Sequence, residues 1–252
     1  MDNVQAELEK YEYIIDYLIQ NYNFDTIIDN PCRNTIMEWS SKVDTLKGRF
    51  GSIYSKYGSL YFYYGTTKFC LYTDNSTYVL KFSFNPYDMG NREVIYDYCK
   101  RDVQIYKKAC EEGVSSAFAW CDYGFTRKGK RGNIHFYLSE YCVPYTKDMI
   151  AALKIREKAA SIPSIVIRIG QDYYRYKQLP PSNKLYFSLF YYASTVWGDE
   201  LALKVEQFIH KYKIQVLYKQ NWGLIGNWPV MFDCAGTSGS YFIPVSLYEK
   251  LT

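Results

Sequence analysis

The sequence predicts an α+β protein with its strands and helices segregated into two lobes, and three observations carry that reading. Residues 50–86 are short β-rich runs punctuated by glycines. The clearest amphipathic helix, 91–112, follows them directly. After a hairpin at 117–141 the second half is mainly helical, with one late hairpin. A chain of 252 residues that is 48% hydrophobic and 22% charged has enough apolar material for a substantial core, and its length suits one large domain or two lobes around a cleft.

Each element has its own signal. Residues 2–22 read as a helix, with Leu8, Tyr11, Ile15, Leu18 and Ile19 at helical spacing and acids on the other face. Residues 23–48 contain Pro31 and read as a connector with one helical turn. Phe50–Tyr57, Ser59–Tyr64, Lys68–Tyr72 and Thr77–Phe84, separated by Gly51, Gly58, Gly65 and the turn Thr73–Ser76, read as an antiparallel meander. Helix 91–112 stops at Gly113. Ala117–Tyr123 and Asn133–Tyr141 read as a hairpin joined by the basic turn Arg127–Arg131. Residues 146–160 and 185–212 read as helical, around a stretch marked by Pro163, Pro180 and Pro181. Ile214–Gly236 reads as two short strands around GLIGNWP.

Composition excludes several classes of function. Only two histidines are present, His135 and His210, so no His-rich metal site can be built. The seven cysteines include no CxxC pair and read as free thiols of a reducing cytoplasm. The first fifty residues carry nine acids against five bases, which leaves +8 on the remainder of a chain whose net charge is +4, too little to argue for nucleic acid by itself. Tyr11–Phe24 is interrupted by Glu12 and Asp16, unlike a signal peptide. The uncharged run Leu185–Gly198 is 14 residues long, short of the roughly 18 needed to span a bilayer. The expected setting is the cytoplasm, without a membrane partner.

Three constellations carry chemistry. Gly65-Thr66-Thr67-Lys68 lies in a strand–strand turn, where glycine lets backbone N–H groups approach phosphates, and Tyr78-Val-Leu-Lys81 follows on the next strand. Asp102 lies on the apolar face of helix 91–112, with Tyr98, Ile105, Tyr106 and Ala109 at −4, +3, +4 and +7. A buried acid needs a partner, and Lys81 is expected to supply it. Glu93 falls on the opposite face. Asn221 and Asp233, twelve residues apart across a Gly-Asn turn, can converge as oxygen ligands for Mg²⁺.

In this order the set resembles the protein-kinase-like fold, over about residues 55–240, and is most similar to small kinase-like proteins of bacteria and their phages. The resemblance implies a bilobal architecture: an N-terminal helical extension over 1–48, a small β-rich lobe over 49–138, a hinge at 139–143 and a reduced helical lobe over 144–252. It makes Lys81 the phosphate-binding lysine and Asp102 its helix partner. Gly65 and Thr66 stand as the phosphate loop, Leu138-Ser-Glu140-Tyr-Cys142 as the hinge, and Asn221 and Asp233 as the metal ligands. ATP and Mg²⁺ are the implied cofactors, held weakly or not at all.

The departures shape the functional expectation. Five residues before Asn221, where the resemblance calls for the proton-accepting Asp, stands Val216, followed by Leu217 and Tyr218. A valine cannot accept a proton from a hydroxyl nucleophile. The helix acid is Asp rather than Glu, the loop has a single glycine, and 16 residues follow Gly236, too few for an ordinary activation segment. The expectation is a pseudokinase-like binding or regulatory protein, phage-encoded and acting on a host or defence protein by protein–protein contact. Two alternatives stand beside it. One is an atypical ATP-dependent phosphotransferase in which another group replaces the missing Asp. The other is a nucleic-acid-binding inhibitor or adaptor that uses Arg127–Arg131 or the interleaved bases and tyrosines of Arg168–Lys184.

Overall fold

The computed structural model describes residues 2–43, 50–74, 76–85, 97–145, 189–190, 192–212, 214 and 221–234. The expected helix at 146–160, the Arg168–Lys184 stretch, Glu93 and Val216–Tyr218 lie outside the described residues. The architecture is α+β with antiparallel sheets, and the chain divides into two compact units: Met1–Val103 with Trp120–Tyr141, and Gln104–Ala119 with Cys142–Thr252. Among the described residues, no helix is long and apolar enough to cross a membrane.

In the first unit, α1 (Asp2–Tyr22), α2 (Asp25–Asp29), α3 (Arg33–Val43) and α4 (Gly51–Tyr57) precede the strands β1 (Leu60–Tyr64), β2 (Lys68–Thr73) and β3 (Tyr78–Ser83). Helix α5 (Tyr98–Glu111) follows, then the hairpin β4 (Cys121–Gly129) and β5 (Gly132–Glu140). The five strands form one antiparallel sheet in the order β1-β2-β3-β5-β4. Side chains alternate across it. One face carries Leu60, Phe62, Phe69, Leu71, Leu80, Phe82, Phe125, Ile134, Phe136 and Leu138. These pack with Tyr11, Ile14, Ile15, Leu18, Phe24, Ile27, Ile36, Trp39 and Ile53 of the N-terminal helices in a single core. Phe69 and Phe82 stack at 5.0 Å, and Phe24 meets Trp39 edge-on at 5.0 Å.

Two expectations in this unit are corrected. Residues 23–48 were expected to hold one helical turn, but α2 and α3 are both helices. Ile36, Trp39, Ser40 and Val43 are buried at i, i+3, i+4 and i+7, a core-facing stripe that Pro31 and the polar residues between them obscure. Phe50–Tyr57 was expected as a strand and is helix α4. Only Ile53 of that helix is buried, so no period announces it. It ends at Gly58, whose φ of 79° no β-branched or bulky residue adopts without strain.

The β4–β5 hairpin reaches further than the sequence suggests. Pairing continues to Gly129↔Gly132, so the turn is the two residues Lys130 and Arg131. Its tip lies so close to α2 that a Cβ on Gly129 would sit 2.1 Å from the Ile28 carbonyl oxygen.

The second unit contains the C-terminal part of α5, a short 3₁₀ turn at Ser115–Ala117, strand β6 (Val143–Pro144), helical residues 192–197, α6 (Asp199–Tyr212), β7 (Trp222–Ile225) and β8 (Trp228–Met231). The last strands make a three-stranded antiparallel sheet, β6-β7-β8. Where one helix was expected over 185–212, residue Gly198 at φ 82° separates 192–197 from α6. The core gathers Phe118, Tyr145, Phe190, Trp197, Ala202, Val205, Phe208, Ile209 and the fully buried Trp222. Trp197 stacks on Trp222 at 6.1 Å, and its indole N–H donates to the Pro229 carbonyl at 2.9 Å.

Candidate functional site

The face of the five-stranded sheet opposite the core is polar. Alternation places Lys68 and Cys70 of β2, Lys81 and Ser83 of β3, and Tyr137 and Ser139 of β5 on it, with Lys68 paired to Ser83, Cys70 to Lys81 and Lys81 to Tyr137. The N-terminal half of α5 is tied to this face at two points.

The first tie is Asp97. Its Oδ1 accepts the Lys100 amide at 3.0 Å as a helix N-cap and the Ser83 hydroxyl at 3.0 Å, and its Oδ2 accepts the Tyr137 hydroxyl at 2.6 Å. Ser83 Oγ in turn accepts the Cys99 amide at 2.9 Å. Burial pushes the Tyr137 phenol far above its usual range, and the bond to Asp97 adds to the shift, so this hydroxyl is a permanent donor.

The second tie is a buried ion pair. Lys68 Nζ lies 2.5 Å from Asp102 Oδ2, with side-chain exposures of 7% and 11%. Asp102 therefore sits on the buried side of α5, as its apolar neighbours suggest, but its ion pair is with Lys68 of β2, where Lys81 of β3 was expected, because Lys68 lies on the same face of the sheet and nearer the carboxylate. Lys81 Nζ donates to the Ser139 hydroxyl at 3.2 Å. Lys68, Lys81 and Asp102 all act on the Cys121 thiol. Burial is the main reason its pKa rises; Asp102 adds to the rise and the two lysines oppose it. Burial likewise raises Cys99, against the pull of Lys68. Both thiols stay protonated and poor nucleophiles.

The phosphate-loop residues form a tight turn. The Gly65 amide donates to the Lys68 carbonyl at 3.0 Å, leaving Thr66 and Thr67 as a two-residue connection with Thr66 exposed. The Gly65 N–H is thus used by the hairpin. Glu140 ends β5: its amide donates to Trp120 O at 2.8 Å and its carboxylate accepts the Trp120 amide at 3.4 Å. Cys142, in the second unit, is buried with Ala119 and Val230.

In the second unit the expected metal pair is brought together. Asn221 and Asp233 close the base of the β7–β8 hairpin. The Phe232 amide donates to Asn221 O at 2.9 Å, and the Asn221 side-chain amide donates to Asp233 O at 2.8 Å. Asn221 is buried, and Asp233 holds φ 58°, in the left-handed region. Non-glycine residues in that region cost about 1 kcal/mol or more and cluster at ligand sites. The contact between the two residues runs through the Asn221 side-chain N–H and the Asp233 main-chain carbonyl. Among the described residues, no three His, Cys, Asp or Glu are grouped to hold a metal by themselves.

Two cations of the basic hairpin, Arg127 and Lys130, are engaged by acids of α1 and α2. Arg127 is 2.9 Å from Asp16 and 3.4 Å from Glu12, and Lys130 is 2.5 Å from Asp29. Cations engaged by α1 and α2 are less available to a phosphate backbone.

The sequence reading did not assign Lys68 or Asp97. Lys68 opens β2 in phase with Cys70 and Lys81, so strand alternation alone could have placed it beside them. Asp97 is hidden because a helix read from residue 91 makes it an interior position rather than a cap. No family model, curated protein or solved structure matches the chain.

Proposed function

We infer that the protein is a pseudokinase-like binding and regulatory protein, with a protein-kinase-like small β-rich lobe and reduced helical lobe. It holds a nucleotide weakly and acts through contact with a protein partner. The observation that carries this reading is the base of the β7–β8 hairpin, where Asn221 and Asp233, twelve residues apart, are hydrogen-bonded together with Asp233 in a left-handed backbone. Metal-assisted phosphate binding needs such a fixed pair of oxygen-bearing residues. The meander, helix and hairpin order of the first unit and its buried Lys68–Asp102 pair support the same reading.

In this reading Lys81 contacts the phosphates, Asp102 holds Lys68 of the same polar face, and Gly65 and Thr66 border the phosphates. Glu140 and Cys142 flank the base, and Asn221 and Asp233 take Mg²⁺. The single loop glycine, with its N–H already given to Lys68 O, leaves few backbone donors for phosphate, which fits weak ATP binding. Val216 removes the general base, a loss of about 10²–10⁴-fold. Action on a host or defence protein is what the sequence resemblance to small kinase-like proteins of bacteria and their phages implies. Engagement of the Arg127–Lys130 tip by acids weighs against a nucleic-acid role there.

Transfer of radiolabelled phosphate from ATP by wild type, Val216→Asp and Asp233→Ala tests the reading. Silence in wild type with a gain in Val216→Asp supports it. Strong wild-type turnover abolished by Asp233→Ala overturns it in favour of a working phosphotransferase.

A further inference from the structure

Among the described strands, β1 is an edge of the five-stranded sheet, paired only to β2. The phase of its hydrogen bonding is fixed at both ends, because Gly65 N donates to Lys68 O and Asp74 N donates to Ser59 O. Residues 59, 61, 63 and 65 therefore bond inward to β2, and residues 60, 62 and 64 direct their N–H and C=O groups to the open side. Residues 59–67, SLYFYYGTT, contain no charge and no proline, and β1 pairs with β2 without a register shift. Charge, proline and bulges are devices that normally blunt a sheet edge, and β1 has none of the three. The two tyrosines of the strand's polar face are its most exposed side chains, Tyr63 at 67% and Tyr61 at 42%.

We propose that β1 pairs antiparallel with β1 of a second copy of this chain about a two-fold axis at Phe62, joining two five-stranded sheets into one. The strand is self-complementary in that register. Leu60 faces Tyr64 of the second copy and Phe62 faces its own counterpart, so the outward groups of 60, 62 and 64 satisfy one another with about six backbone hydrogen bonds. Tyr61 then lies opposite Tyr63 of the second copy in a non-hydrogen-bonded pair, with Cα atoms roughly 4.5 Å apart. Aromatic pairs are favourable at that separation. Both exposed tyrosines are thereby covered, and no like charges oppose. Five residues of edge place the contact in the small, transient class, below roughly 1,200 Å² in total, so the dimer dissociates in the micromolar range or above. The inference does not depend on the nucleotide reading.

Sedimentation velocity of the full chain across the micromolar range tests it, with wild type, Tyr61→Lys/Tyr63→Lys and Tyr61→Lys/Tyr63→Glu compared. Both substituted side chains are exposed, and far-ultraviolet circular dichroism checks that the variants fold. The proposal expects concentration-dependent dimer in wild type. In the Lys/Lys variant lysine opposes lysine across the axis, and the dimer weakens at least tenfold. In the Lys/Glu variant each lysine opposes a glutamate and the dimer returns. A wild type that is monomeric throughout overturns the proposal. So does a dimer indifferent to both variants, or one lost equally in both.

Discussion

Asp97 is the residue whose removal most sharply tests how α5 is fixed to the polar face of the sheet. Asp97→Ala deletes three bonds at once: the N-cap to Lys100 and the acceptors for Ser83 and Tyr137. Losing the cap costs about 1 kcal/mol. The two hydroxyl bonds are to a carboxylate, worth about 1.5–3 kcal/mol each, and the Tyr137 hydroxyl is left without its acceptor in a side chain only 5% exposed. Allowing for relaxation, the expected loss is about 3–5 kcal/mol, a large share of a domain's stability. Tyr137→Phe removes one donor and costs less. Urea unfolding of the two single variants and the double variant gives the coupling between the side chains, expected at about 1.5–3 kcal/mol. A coupling below about 0.5 kcal/mol, within ordinary non-additivity, would show that the Asp97–Tyr137 bond does not hold the helix.

Four further outcomes follow from the same structure. Asp102→Asn should lower the thermal stability of the first unit by removing the carboxylate 2.5 Å from the buried Lys68 ammonium. Burial raises Glu206 to about 7 from an ordinary value of 4.5, so stability present below pH 4.5 is lost as pH rises through 7. Glu206→Gln should therefore stabilise by about 2 kcal/mol at pH 8 and by almost nothing at pH 4.5, as read from urea midpoints. Gly129→Ala should cost about 1–3 kcal/mol in the same assay, because its methyl group meets the Ile28 carbonyl and α2 must move. Asp233→Asn should abolish any Mg²⁺-dependent thermal shift with ATP while keeping the left-handed backbone, which Asn also tolerates.

Much of the fold is legible because hydrophobic period and turn chemistry agree. The stripe of α1, the meander β1–β3, the stop at Gly113 and the Gly226–Asn227 turn between β7 and β8 all stand where local signals put them. Short helices are less legible. In α4 a single buried residue gives no period, and in α3 the burial of Trp39 against Phe24 and Phe62 is a tertiary fact that Pro31 hides. For the site, spacing placed Asn221 beside Asp233 because a tight hairpin fixes that distance. It could not select Lys68 as an ion-pair partner of Asp102. Strand alternation puts Lys68 and Lys81 on one face, and only the position of α5 above that face decides which lysine the carboxylate meets.

In the proposed function Asp233 and Asn221 hold Mg²⁺ for a nucleotide that the protein binds but does not turn over. Isothermal titration of ATP into wild type and Asp233→Asn, each with and without Mg²⁺, tests it most directly. The expected result is weak binding, in the high micromolar to millimolar range, seen only with Mg²⁺ and only in wild type, with the ATP intact afterwards. Binding that ignores both Mg²⁺ and the Asp233 substitution, or ATP consumed during the titration, would contradict it.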